Sequence, residues 1–227
     1  SAAVRMGLAI NFGSFYTKNL YNESKFFAMR HLNRHLTYCL NVHPGETDAD
    51  GLAAVRRYPP DIRARLGCAQ PFGLGLRLGI GALDEAETPA GIEALRELLA
   101  AESLYVFTLN GFPYGRFHDT AVKTSVYEPD WRSPLRRDYT VRLARWLALL
   151  LPDGVEGSIS TVPVAYRAAL GDGEGLEGIA RHLADCARAL REIEDRTGKL
   201  IHVGLEPEPD CWVDTTEGAI VFFEETL

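Results

Sequence analysis

The sequence predicts an α/β protein built from the first five β/α units of a (β/α)8 TIM barrel. Three observations carry this. From residue 29 onward, five apolar strands alternate with helical stretches, the pattern of parallel strands joined by right-handed crossovers. Polar residues fall at or just past the carboxyl ends of successive strands: Asn41 and His43, Arg77, Asn110, Ser160 and Thr161, then Glu206. A barrel builds its working face there. Finally, no GxGxxG follows the first strand and no GxxxxGK[ST] occurs anywhere, so classical dinucleotide and P-loop sites are weakly supported. An open doubly wound sheet is the competing architecture.

The elements follow in order. Residues 36–42 (LTYCLNV) read as the first strand, and 48–66 has helical composition that Pro59-Pro60 should interrupt. Residues 72–80 (FGLGLRLGI) form the second strand, whose glycines allow close packing. Thr88-Pro89 opens a helix to about Ala101, with Thr as N-cap and Pro at the first helical position. Residues 104–109 (LYVFTL) are the third strand, followed by a loop over 110–132 too long for a mere connector. Ser133-Pro134 repeats the helix opening, to about Leu151, and Val155 to Thr161 is the fourth strand. The next helix carries a stripe at Leu176, Ile179, Leu183, Cys186, Leu190 and Ile193, the spacing of a helix lying on a sheet, and Gly198 should end it. Residues 200–205 are the fifth strand, and Thr215-Thr216-Glu217 starts a last helix.

Composition narrows the setting. The 227 residues are 46% hydrophobic and 24% charged, as in ordinary globular proteins. Four widely spaced cysteines without a CxxC pair argue for a reducing compartment such as the cytoplasm. A net charge of −7 argues against nucleic acid as a partner. The charge is uneven: residues 1–28 carry +2 and the remainder −9. The first 28 also hold two of the four lysines and three of the six asparagines. They read as a leader or non-native segment that adds little to the inner layer, with the domain spanning 29–227. Eight units usually need about 250 residues, so three further units are expected beyond those present. A five-stranded arc would then have an apolar open edge at 200–205, suited to self-association.

Three constellations carry chemistry. In GLEPEPD, two prolines behind Glu206 hold its carboxylate at a fixed depth, as a metal ligand or general base requires; a structural pair with Arg77 is the alternative. In TYCLNVHPGE, His43 and Glu46 could reach a metal or a substrate hydroxyl from one short loop, with Asn41 beside them as a substrate contact. Cys39 suits packing better than nucleophilic work. In NGFPYGRFH, Asn110 is followed by Phe112, Tyr114 and Phe117, aromatic faces that would either close over a ligand or plug the barrel end.

The segments LTYCLNVHPGE, FGLGLRLG, LYVFTLNGFPYGRFH, VYEPDWRSP, GVEGSISTVP and HVGLEPEPD, in this order, closely resemble the metabolite-traffic EboE family. The resemblance covers about residues 30–227. It implies a xylose-isomerase-like TIM barrel, encoded beside a prenyltransferase-like membrane protein in bacterial metabolite-export clusters. In the wider superfamily a Glu ending the fifth strand binds a divalent cation, Mn, Mg or Zn, and Glu206 matches it. The remaining ligands come from strands six to eight, so the site would be incomplete here and this chain alone inactive. The expected function is a metal-dependent sugar isomerase- or epimerase-like barrel acting on a small polyol or precursor metabolite. Glu206 and His43 would be catalytic; Asn41, Arg77, Asn110, Phe112, Tyr114 and Phe117 would bind substrate. A non-catalytic module that binds and hands over a metabolite is the alternative, and an endonuclease-type reading is disfavoured by charge.

Overall fold

The longer strands of this chain form where short, largely apolar runs are bounded by glycine, proline or polar turns. The computed structural model describes residues 8–10, 30–31, 34–115, 126–171 and 175–227. Its strands are β1 (Leu8–Ile10), β2 (Arg30–His31), β3 (Arg34–His35), β4 (Thr37–Cys39), β5 (Phe72–Arg77), β6 (Leu104–Asn110), β7 (Gly157–Thr161) and β8 (Ile201–Leu205). The helices are α1 (Asp48–Arg65), α2 (Ile80–Ala86), α3 (Pro89–Ala101), α4 (Pro134–Leu150), α5 (Arg167–Leu170), α6 (Leu176–Thr197) and α7 (Thr216–Val221), the last extended by a wider turn over Phe222–Thr226.

The result is an α/β protein with β4, β5, β6, β7 and β8 side by side and parallel, in chain order. Because every crossover steps the same way, right-handed connections place the helices on one side of the sheet. There α1 packs on β5, α3 on β6, α4 on β6 and β7, and α6 on β8. Alternation along each strand then separates two faces. Leu74, Leu76, Val106, Leu109, Ile159, Ile201, Val203 and Leu205 are buried beneath the helices. At about 25 cal/mol per Å² of apolar surface, each such side chain contributes roughly 1.5–3 kcal/mol. The opposite face carries Thr37, Cys39, Tyr105, Thr108, Asn110, Ser158 and His202, all at least partly accessible.

Local signals acted as expected in most places. Thr88 Oγ1 accepts from the Gly91 N–H at 3.1 Å, and Ser133 Oγ from Leu135 N–H at 3.2 Å, each ahead of a proline at the first helical position. In α6 the stripe Ile179, Leu183, Cys186, Leu190 and Ile193 is buried, and Gly198 ends the helix at φ 69°.

Four expectations need correction. The first strand stops at Cys39, and Leu40–Val42 forms a 3₁₀ turn closed by His43 N–H on Leu40 C=O at 3.0 Å. Pro44 just beyond has no N–H with which to continue a ladder. Helix α1 runs unbroken through Pro59 and Pro60, with Pro59 buried, so packing outweighs the two lost backbone donors. The second strand ends at Arg77, and residues 80–86 are helical instead. Within the 1–28 segment, Leu8–Ile10 does join the sheet, parallel to β8, with Leu8 opposite Val203 and Ile10 opposite Leu205. The edge expected to stand open over 200–205 for self-association is therefore covered at Val203–Leu205, because the unpaired backbone groups of an apolar strand take up an extended neighbour.

Candidate functional site

Parallel strands bring their carboxyl ends into one row. Arg77 lies opposite Asn110, Asn110 opposite Ser160, and Ser160 opposite Gly204. One step further, the Glu206 N–H donates to Thr161 C=O at 3.1 Å, carrying the β7–β8 pairing past the strand end. Pro207 and Pro209 then stop the ladder. Glu206 thus stands on the polar face, held by backbone on one side and by the Ser160 hydroxyl on the other.

The carboxyl group of Glu206 is pushed above its ordinary range chiefly by burial; the Ser160 hydrogen bond opposes this and Glu208 adds to it. Cys39 is raised by burial as well, and the Glu206 charge contributes. Cys39 is nonetheless exposed, unlike the other three cysteines, so the packing role expected of it does not describe its position.

The other expected residues divide. Arg77 sits in the row, but its Nη2 donates to Gly45 C=O and pairs with Glu46 Oε1 at 3.2 Å. The partner considered for it, Glu206, is therefore replaced by Glu46. His43 stacks on Tyr58 with ring centroids 3.5 Å apart, and its Nε2 meets Tyr38 Oη at 2.6 Å. Together with Arg77 and Glu46 it lines a cavity of about 50 Å³ backed by Leu76, Leu95 and Trp146. Those apolar residues belong to the helix-covered layer, so this cavity is separate from the Glu206 surface. Asn41 lies in the 3₁₀ turn, its Oδ1 buried without a hydrogen-bond partner among the described residues.

Asn110 Oδ1 accepts from the Phe112 N–H at 3.1 Å, which turns the chain off β6. Phe112 is only 6% exposed and packs edge-on against Tyr127 at 5.4 Å; Tyr114 packs on Tyr139 at 5.1 Å. Both rings thus fill the loop's interior rather than present open faces. Phe117 lies outside the described residues.

Sequence reasoning missed what pins this loop. Arg136, fully buried, donates from Nε to Pro129 C=O at 2.6 Å and from Nη1 to Gly111 C=O at 2.7 Å. Burial pulls its guanidinium down to about 10. Tyr139 donates to Leu78 C=O and lies 3.3 Å from Pro113 C=O, tying the loops after β5 and β6 together. Tyr127 Oη donates to Glu208 Oε2 at 2.5 Å and joins the loop before α4 to the segment after β8. An isolated Arg or Tyr on a helix gives no sequence signal of the loop it will hold.

For a metal, the donor set is short. Among the described residues no group of three or more His, Cys, Asp or Glu side chains gathers, whereas a closed divalent site needs several such ligands. Glu206 with Ser160 offers one carboxylate and one hydroxyl, a set suited to hydrogen-bonding a polyol. No disulfide joins the four cysteines. No helix among the described residues is long and apolar enough to cross a membrane. Compared with family models, with curated proteins and with solved structures, the chain matches none.

Proposed function

We propose that this chain forms the first five units of a xylose-isomerase-like TIM barrel of the metabolite-traffic EboE type, and that its polar face binds a small hydroxylated metabolite. The observation that carries the reading is Glu206: a half-buried carboxylate held by Ser160 on the open face of a sheet wound in one direction. Parallel sheets usually bury both faces under apolar cover. A polar, accessible face opposite the layer formed by α1, α3, α4 and α6 is what a barrel interior would leave at its mouth. The motif resemblance supports the same architecture and supplies the metabolite-export setting, with a membrane prenyltransferase-like protein as pathway partner and a cytoplasmic location.

The chemistry follows from residues on this face. Glu206 accepts hydrogen bonds from ligand hydroxyls. Ser160 steadies the carboxylate and offers its own oxygen, and Asn110 stands two strands from β8 at the same height. In a complete barrel a divalent cation would polarise neighbouring oxygens of a sugar for isomerisation or epimerisation, with Glu206 as one ligand. The described residues do not complete that ligand set. The same carboxylate and hydroxyls would serve a module that binds a polyol and hands it over without turning it over.

Equilibrium dialysis of the full chain against glycerol, erythritol, glucitol and myo-inositol tests the reading. At least one should be retained, and Glu206→Gln should weaken its retention about tenfold, the value of a hydrogen bond to a charged group. Retention of none, or equal retention by the variant, would overturn it.

A further inference from the structure

The cavity beside His43 and Arg77 has a floor and a rim of opposite character. The floor is formed by Val55 of α1, Leu76 and Leu78 at the end of β5, Ala82 of α2, Leu95 of α3 and Trp146 of α4, all buried. Trp146 donates its N–H to Ala86 C=O at 3.0 Å, so toward the cavity it offers only an apolar ring. The volume is about 50 Å³, room for about three to five water-sized groups at roughly 10–15 Å³ each. A concave space with an apolar floor and a few polar groups is the general form of a small-molecule site.

The rim is the loop from β4 into α1, and its charges do not balance. Arg77 pairs with Glu46 at 3.2 Å. Asp50 is engaged in the cap of α1, accepting from the Glu46 and Thr47 N–H groups and the Thr47 hydroxyl. Asp48, the first residue of α1, lines the same cavity and is half-buried. Its N–H donates to Glu85 Oε2 at 3.3 Å, which brings a second carboxylate close to it. Burial and the Glu85 charge both raise the Asp48 carboxyl, and no cationic side chain counters them among the described residues. The positive end of α1 supplies about half a charge, less than these two carboxylates carry. An anion entering the cavity would have to displace Glu46 from Arg77 and would be repelled by Asp48. A cation meets a half-buried carboxylate that lacks a counter-charge.

We propose that this cavity binds a short primary alkylammonium ion, with the ammonium at the Asp48 carboxylate and the chain on the floor of Leu76, Leu95 and Trp146. Propylammonium, with four heavy atoms, matches the volume. The site lies apart from the Glu206 face and does not rest on the polyol reading.

The test titrates propylammonium, 1-propanol and propanoate into the full chain at one ionic strength, followed by backbone and indole ¹H–¹⁵N shifts. Propylammonium should give saturable shifts at Gly45, Asp48, Leu95 and the Trp146 indole; 1-propanol should bind more weakly and propanoate not at all. Methylammonium, shorter by two methylene groups, should bind roughly tenfold more weakly to the wild type, since each buried methylene is worth about a factor of four. Asp48→Asn should weaken propylammonium about tenfold and leave 1-propanol unchanged. Ala82→Leu, which fills the floor, should abolish the binding of both. The methylammonium comparison needs no variant and decides the chain contact even if Ala82→Leu fails to fold. Equal affinity for methylammonium and propylammonium, equal affinity for propylammonium and 1-propanol, or shifts centred away from this cavity would overturn the proposal.

Discussion

Replacing Gly111 by alanine tests whether the loop after β6 is held as tightly as its contacts indicate. The backbone at Gly111 does not require glycine, since it is absent from the positive-φ positions. The space does. A Cβ there would lie 2.9 Å from each of Ile159 Cγ2, Leu143 Cδ1 and Ser160 C=O. The two side chains can give by rotation, but the carbonyl belongs to β7 and already accepts the Gly111 N–H at 3.0 Å. Arg136 fixes the Gly111 carbonyl from the other side. Overpacking costs about 1–3 kcal/mol, and a clash with pinned backbone belongs in the upper half, about 2–3 kcal/mol. For a chain of this size each kcal/mol moves Tm by roughly 2–4 °C, so Gly111→Ala should melt about 4–12 °C lower by differential scanning calorimetry. Gly81, in α2 with nothing within 4 Å of its missing Cβ, provides the opposite sign: Gly81→Ala should gain about 0.5–1 kcal/mol from helix propensity alone. A Gly111→Ala protein as stable as wild type would refute the pinned-loop account.

Arg136→Met should cost about 2–4 kcal/mol in denaturant unfolding, because the Gly111 and Pro129 carbonyls lose their donor inside the protein; a neutral result would show that water reaches them. Glu206→Gln should stabilise the chain at neutral pH. Burial raises this carboxyl, so above the unfolded-state value the folded state binds more protons, and stability falls as pH rises through the window. The gain should shrink as the pH falls below the carboxylate range, and a Tm difference independent of pH would contradict the assignment. Asp50 has the reverse sign. Hydrogen bonds from the Thr47 hydroxyl and from the Glu46 and Thr47 N–H groups hold it below its usual value, so the stabilisation it gives is present at neutral pH and lost as acid titrates the folded carboxylate. Asp50→Ala should therefore lower Tm at pH 7 and have little effect in strong acid. Thr47→Ala, which removes the other half of this capping box, should cost about 1 kcal/mol at neutral pH.

The order of strands and helices was legible because it depends on local signals. Thr88-Pro89 and Ser133-Pro134 open helices by capping chemistry, and the six-residue stripe of α6 is a period that no strand could satisfy. Boundaries were less legible where tertiary packing overrides propensity, as at Pro59-Pro60 within α1. Of the candidate site, Glu206, Asn110 and Arg77 could be placed at strand ends by counting alternation, and the register puts Arg77, Asn110 and Ser160 side by side with Glu206 two residues past Gly204. What their side chains meet could not be read the same way. Arg77 chose Glu46 over Glu206, and His43 turned to Tyr58, because those partners come from a loop and a helix whose approach the sequence does not encode locally. The bulge in β6, where Gly75 pairs with Thr108 and leaves Phe107 as the extra residue, is a shift in pairing between two strands, visible only once both are in place.

The central claim is that polyol binding belongs to the polar face at Glu206 and not to the cavity beside His43 and Arg77. Backbone ¹H–¹⁵N chemical-shift mapping of the full chain during a glucitol titration decides between the two surfaces. The account predicts saturable shifts at Asn110, Ser160 and Glu206, with a midpoint about tenfold higher in Glu206→Gln. Shifts centred on His43, Gly45 and Glu46, or an unchanged midpoint in Glu206→Gln, would contradict it.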